Sequence, residues 1–192
     1  VSVAAERHLF ILGPSGAGKS HLARYIGETR RYLHIEIDRF PECDGIDFAG
    51  LRDGWDSFFN DMTCQKLSAH LRERAMASGN AACVLTFPSG VTLSPLHIAA
   101  AAKSQVLIRY LYGSAADCIT SFVHREAATH RNLPVPHWLA NNVYAYFRIS
   151  APEFEPYRVT AFDNEGKHLP VEELTEAVLG TTQRVLKSRR FL

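Results

Sequence analysis

Residues 10–28 read FILGPSGAGKSHLARYIGE, and the fold turns on this stretch. Gly13, Pro14, Ser15, Gly16, Ala17, Gly18, Lys19 and Ser20 fit the pattern GxxxxGK[ST], the Walker A phosphate loop. An apolar run precedes the octapeptide and an amphipathic helical pattern follows it, which is the context such a loop needs. Glycines let the backbone turn its N–H groups inward around anionic oxygens. The helix that opens at Lys19 adds a favourable dipole for a phosphate. Lys19 supplies a cation near the β- and γ-phosphates of ATP, and the Ser20 hydroxyl is of the right type to ligate Mg²⁺. The alternative is a Gly-rich turn ahead of a helix, and the flanking pattern disfavours it. The loop alone does not separate kinases from GTPases, motors or plain nucleotide binders.

Working outward, apolar runs and helical patterns alternate along the chain. Strands are expected at His8–Leu12, 32–37, 81–87, 105–112 and 157–162. Helices are expected at Lys19–Thr29, 55–77, Pro95–Lys103, Ala115–Thr129, 138–147 and 170–188, the last with an interruption at Gly180. This alternation predicts an α/β fold: one five-stranded parallel sheet with helices on both faces, as in the three-layer P-loop NTPases. The chain of 192 residues suits a single domain spanning 1–192.

Composition narrows the function classes. Hydrophobic residues make up 46% and charged residues 21%, with a net charge of +1. Such a balance argues against a broad nucleic-acid or membrane surface, and no nucleic-acid or membrane partner is expected. Cys43, Cys64, Cys83 and Cys118 form no CxxC pair and have no histidine at metal-ligand spacing. They read as reduced thiols of a cytoplasmic protein. The opening VSVAAERHLFILG reads as a strand and not as a signal peptide.

Other motifs decide between phosphate-loop chemistries. No NKxD base-reading motif is present, which disfavours a GTPase. The third strand ends LTFPSG, without the acid expected of a Walker B strand. Carboxylates lie instead on the second strand, in LHIEIDRF at 33–40. Strand alternation puts Glu36 and Asp38 on one face and Ile35 and Ile37 on the other. At the C-terminal edge of a parallel sheet that face looks into the ligand crevice. There one carboxylate can hold Mg²⁺ waters and the other can take the proton of an attacking hydroxyl. The competing readings are a solvated edge residue for Glu36 and a cap or turn residue for Asp38.

With those residues in place, the chain resembles the small P-loop kinases of the shikimate kinase and gluconate kinase type. In shikimate kinase the second strand ends in Asp-x-Asp, and Glu36-Ile37-Asp38 stands at that place, with Glu for the first Asp. The resemblance implies a metal role for Glu36 and an acceptor-facing, proton-accepting role for Asp38. Of the glycine run that lines the acceptor in shikimate kinase only Gly90 remains, which argues against shikimate itself. Arg52 falls where such kinases place an acceptor-binding arginine; a surface arginine is the competing reading. A lid is implied at 124–134, HREAATHRNLP, with Arg125 and Arg131 covering the transferring phosphoryl group. Solvated helix arginines are the alternative there, and surface positions suit His124 and His130. Arg148 is a further candidate for phosphate contact. The loop 163–167 is expected to pass the adenine ring through backbone contacts. Trp55, Phe58 and Phe59 form an aromatic face that reads as core packing ahead of an acceptor cup. The basic stretch at 184–190 reads as a solvated helix end.

The expected function is transfer of the γ-phosphoryl group of ATP, with Mg²⁺, to a hydroxyl of a small-molecule acceptor, by a monomer or homodimer. Two alternatives stay open: a nucleoside or nucleotide kinase, and a nucleotide-binding regulatory protein without kinase activity.

Overall fold

The computed structural model describes residues 6–37, 48–129 and 135–180. Strands β1 (His8–Leu12), β2 (Tyr32–Glu36), β3 (Ala82–Thr86), β4 (Val106–Tyr112) and β5 (Arg158–Thr160) form one sheet in the order β2-β3-β1-β4-β5. Every pairing is parallel, with Leu9 opposite Val84 and Leu107, and Ile35 opposite Leu85. The predicted five-stranded parallel sheet is thus observed.

Residue alternation splits the core in two. Phe10, Leu12, Leu85, Phe87, Ile108 and Tyr110 point to one face. There they meet α2 (Phe48–Asn60), α3 (Gln65–Ala77), α4 (Pro95–Lys103) and α6 (Val135–Ser150). Leu9, Ile11, Val84 and Leu111 point to the other face. They pack on α1 (Lys19–Thr29), α7 (Val171–Leu179) and Cys118 of α5 (Ala115–Thr129). Strands buried on both faces read as continuous apolar runs, which is why HLFIL and ACVLT show no polar alternation.

Three boundaries differ from expectation by more than one residue. The single helix expected at 55–77 is two, broken where Met62 takes a positive φ of 54°. Both helices cover the same sheet face, so the apolar period runs through the break. Gly54 lets them cross closely, since a Cβ there would lie 2.7 Å from the Leu67 Cα. The helix α6 is longer than 138–147, because Pro136 falls in its first turn, where a missing N–H breaks no helical bond. The last strand is shorter than 157–162: a 3₁₀ helix at Pro152–Tyr157 precedes it, and Phe162 makes an isolated antiparallel bridge with His168. The turn expected at 163–167 is present, with Asp163 Oδ1 accepting from the N–H groups of Glu165 and Lys167.

Topology places the ligand crevice. The connection from β1 runs through α1 to β2 on one side, while that from β3 runs through α4 to β4 on the other. Opposed connections leave a gap at the carboxyl ends of β1 and β3. The phosphate loop follows β1 and the turn 87–90 follows β3, so both open onto it.

Candidate nucleotide-binding cleft

The loop 13–18 is shaped by residues that lack a side chain for a physical reason. Gly13 has φ +136°, and a Cβ on it would sit 2.3 Å from the Leu111 carbonyl oxygen of β4. Gly16 has φ +83°, and a Cβ there would meet the Cys118 carbonyl oxygen at 2.0 Å. The backbone therefore lies directly on the β4 and α5 backbones. Gly18, also left-handed, opens α1, and no side chain caps that first turn among the described residues. A helix start of this kind offers N–H donors and a positive dipole end to an anion.

Lys19 folds back over the loop, donating from Nζ to the carbonyls of Gly13 (2.9 Å) and Pro14 (3.0 Å). Ser20 Oγ donates to Glu36 Oε1 at 2.5 Å, joining the start of α1 to the end of β2. A hydroxyl and a carboxylate side by side are the hard oxygen donors that suit Mg²⁺, so the residues present fit that ion. Among the described residues no group of three or more His, Cys, Asp or Glu converges as a metal site. Two protein oxygens accord with an ion that keeps waters and takes phosphate oxygens as its other ligands.

These groups line one cleft of about 690 Å³, with Ser15, Gly16, Gly18, Lys19 and Ser20 on one wall and Glu36 of β2 beside Thr86 of β3. That volume falls within the range of small-molecule sites. Thr86, Phe87, Pro88 and Ser89 close the side beyond β3. Ser121, Arg125 and Glu126 of α5 and His168 of the loop before α7 close the opposite side. Gly13 and Pro14 contribute carbonyls to Lys19, and Ala17 is wholly buried beneath the loop.

The structure separates the remaining candidates. Arg125 sits in continuous helix, its Nε 2.8 Å and Nη2 2.6 Å from Oε1 of the buried Glu126. Its guanidinium also lies 5.1 Å from the Phe122 ring centre. Residues 124–129 of the expected lid are thus the end of α5. Arg52 is exposed on α2 and does not line the cleft. Gly90 is exposed past β3, beside the Asn141 side chain, and does not line it either. Asp38, Arg131, His130, Cys43 and 184–190 lie outside the described residues. The strand β2 itself ends at Glu36, one residue short of the expected Ile37. Trp55 stacks on Phe87 (5.2 Å, 19°) and Phe58 is fully buried, so the aromatic face is core. Arg148 lies over the Phe154 ring and His124 is exposed; neither lines the cleft. Cys64, Cys83 and Cys118 are free and buried, and burial pushes the Cys118 thiol up to about 11.

Four cleft residues carried no signal in the sequence. His168 stacks on Phe162 (4.3 Å), and its Nε2 lies 3.0 Å from Ser121 Oγ, which seats the 163–168 loop against α5. Burial holds the His168 pKa below the ordinary histidine value. Glu126 is a carboxylate lining the cleft, with Arg125 as its counter-charge. Thr86 Oγ1 lies 3.2 Å from His34 Nε2 in the place where a Walker B acid was sought. Such residues are isolated in sequence, and only the packing of α5 and the last loop gathers them.

No protein-family model matches the chain, and no curated protein matches it. Among solved structures, a gluconokinase from Sinorhizobium meliloti 1021 aligns over 92% of this chain and 91% of its own, at 20% identity and TM-score 0.50. A sugar kinase from Janibacter sp. HTCC2649 aligns over 91% and 92%, at 19% identity and TM-score 0.48. A shikimate kinase from Acinetobacter baumannii, in complex with shikimate, aligns over 91% of both chains, at 16% identity and TM-score 0.47. The resemblance expected from the loop and the second strand is borne out at the level of architecture: this chain has the α/β P-loop fold seen in that gluconokinase.

Proposed function

We propose that the protein transfers the γ-phosphoryl group of ATP, with Mg²⁺, to a hydroxyl of a small-molecule acceptor. The observation that carries this reading is the Ser20–Glu36 pair, set beside Lys19 and the loop in one cleft that continues to the turn after β3. A cradle for phosphates, oxygen donors for a metal and room beyond them are what phosphoryl transfer needs, because the protein's part is positioning and charge stabilisation.

Each residue has a role in this reading. The loop and the first turn of α1 bind the phosphates, and Lys19 exchanges its carbonyl partners for phosphate oxygens. Ser20 and Glu36 would hold Mg²⁺, which when bound neutralises phosphate charge. Arg125 turns from Glu126 toward the transferring group, and Arg131 adds to it. Asp38 takes the acceptor proton as the hydroxyl oxygen bonds to the γ-phosphorus and the bond to the β,γ-bridging oxygen breaks, releasing ADP. Arg52 and Gly90 do not line the cleft and take no acceptor contact in this reading.

A second reading has one observation behind it. Glu126 places a carboxylate in the cleft and occupies Arg125, which suits a nucleotide-binding regulator without transfer. One experiment separates the two: ATP consumption with Mg²⁺ across sugar acids, shikimate-like acids, nucleosides, aminoalcohols and hydroxylated antibiotics, with Lys19→Met as control. The expected result is acceptor-dependent turnover that falls about 100-fold or more in the variant. Tight ATP binding with no turnover on any acceptor would favour the regulator.

A further inference from the structure

The tip of the phosphate loop has a partner far away in sequence. The Ser15 N–H donates to Asn142 Oδ1 at 2.7 Å, across 127 residues. Asn142 lies in α6 and is only 5% exposed. An N–H can be met only by the oxygen of the side-chain amide, so the donor itself fixes which way that amide faces.

The surroundings show why this bond matters. A second cavity, of about 280 Å³, lies behind the loop. It is walled by Pro14 and Ser15, by Cys118 of α5, and by Asn142, Val143 and Tyr146 of α6. Ser15 lines both this cavity and the main cleft. The tip therefore has open space on either side and is not backed by close packing. Gly16, one residue on, is seated on the α5 backbone, as the 2.0 Å approach to the Cys118 carbonyl requires. The loop is thus held at adjacent residues by two helices: by contact on α5 and by a hydrogen bond to α6. A glycine-rich loop loses much conformational freedom when ordered, so a bond that fixes it before ligand binding lowers the entropic cost of binding.

We propose that Asn142 is a positioning residue of the phosphate cradle: its Oδ1 fixes the Ser15 end of the loop in the shape that receives a triphosphate. Asn142 does not line the main cleft, so its effect on nucleotide passes through Ser15. The proposal rests on the nucleotide-binding part of the reading above.

The test pairs Asn142→Leu, which keeps the bulk and removes the acceptor, with Asn142→Asp, which keeps an acceptor. Amide hydrogen exchange of ligand-free protein, read by NMR, reports the Ser15 N–H directly. Calorimetric titration reports MgATP affinity. In Asn142→Leu the Ser15 amide should exchange at least about tenfold faster, with β1 and β3 amides unchanged, and MgATP affinity should fall about tenfold. Asn142→Asp should restore Ser15 protection, which a merely space-filling residue would not do. Unchanged Ser15 exchange in Asn142→Leu, or MgATP affinity within about twofold of wild type, would overturn the proposal. Should the Leu variant not fold, Asn142→Ser, too short to reach the amide, takes its place. Wild-type protein that bound no MgATP would sink the phosphotransfer reading instead, and Ser15 exchange would still decide whether the tether exists.

Discussion

The two halves of the cleft are built by different means. On the β1 side, binding groups belong to backbone: a loop pressed onto Leu111 and Cys118, and an uncapped helix start. Lys19 and Ser20 add side-chain chemistry there, with His21 and Arg24 of α1, and Glu36 joins from β2 through its bond to Ser20. On the β3 side, the described wall is Thr86, Phe87, Pro88 and Ser89, with Trp55 stacked behind Phe87. Those four residues carry no charge. The contrast teaches that a triphosphate can be recognised by main-chain geometry, which few sequences can supply, while a small acceptor is read by scattered side chains that vary freely on the same frame.

Gly16 is the most sensitive position of the backbone-built half. A methyl group there meets the α5 backbone, and its φ of +83° strains any L side chain. Gly16→Ala should cost about 3 kcal/mol or more of stability and remove measurable MgATP binding, read by thermal melting and calorimetry. A variant that melts and binds like wild type would mean that the loop is not set by its seat on α5.

Glu36→Gln sharpens the same half with a smaller effect. The amide still accepts from Ser20 Oγ but carries no charge. The Mg²⁺ concentration for half-maximal activity should rise about tenfold, while metal-free ATP binding stays within about twofold. Equal Mg²⁺ dependence in the two proteins would leave Glu36 as an edge residue with no metal role.

Arg52→Ala probes the other half and should do least. The side chain is exposed and does not line the cleft, so acceptor KM and melting temperature should shift within the range of ordinary surface changes, about 0.5 kcal/mol. A rise in acceptor KM of tenfold or more, with ATP affinity unchanged, would extend the acceptor site onto α2 and overturn the division drawn here.

What the sequence by itself determined is the part governed by local rules. GPSGAGKS needs glycines at fixed offsets because the backbone must turn at positive φ, so the loop is legible without neighbours. Apolar runs at HLFIL, ACVLT and the fourth strand announce a doubly covered sheet, and their alternation with amphipathic helices leaves few topologies. Glu36 was legible because strand period places it at the crevice edge.

Tertiary structure alone decided the rest. Arg125 looks like a lid residue in sequence, but its state depends on Glu126, whose burial no local pattern reports. His168 and Ser121 meet across 47 residues, and Asn142 reaches Ser15 across 127. Single polar residues of this kind have no period and no motif. Their roles arise when two helices and a loop are packed against the phosphate cradle, because a hydrogen bond acts over about 3 Å of space and takes no account of separation along the chain.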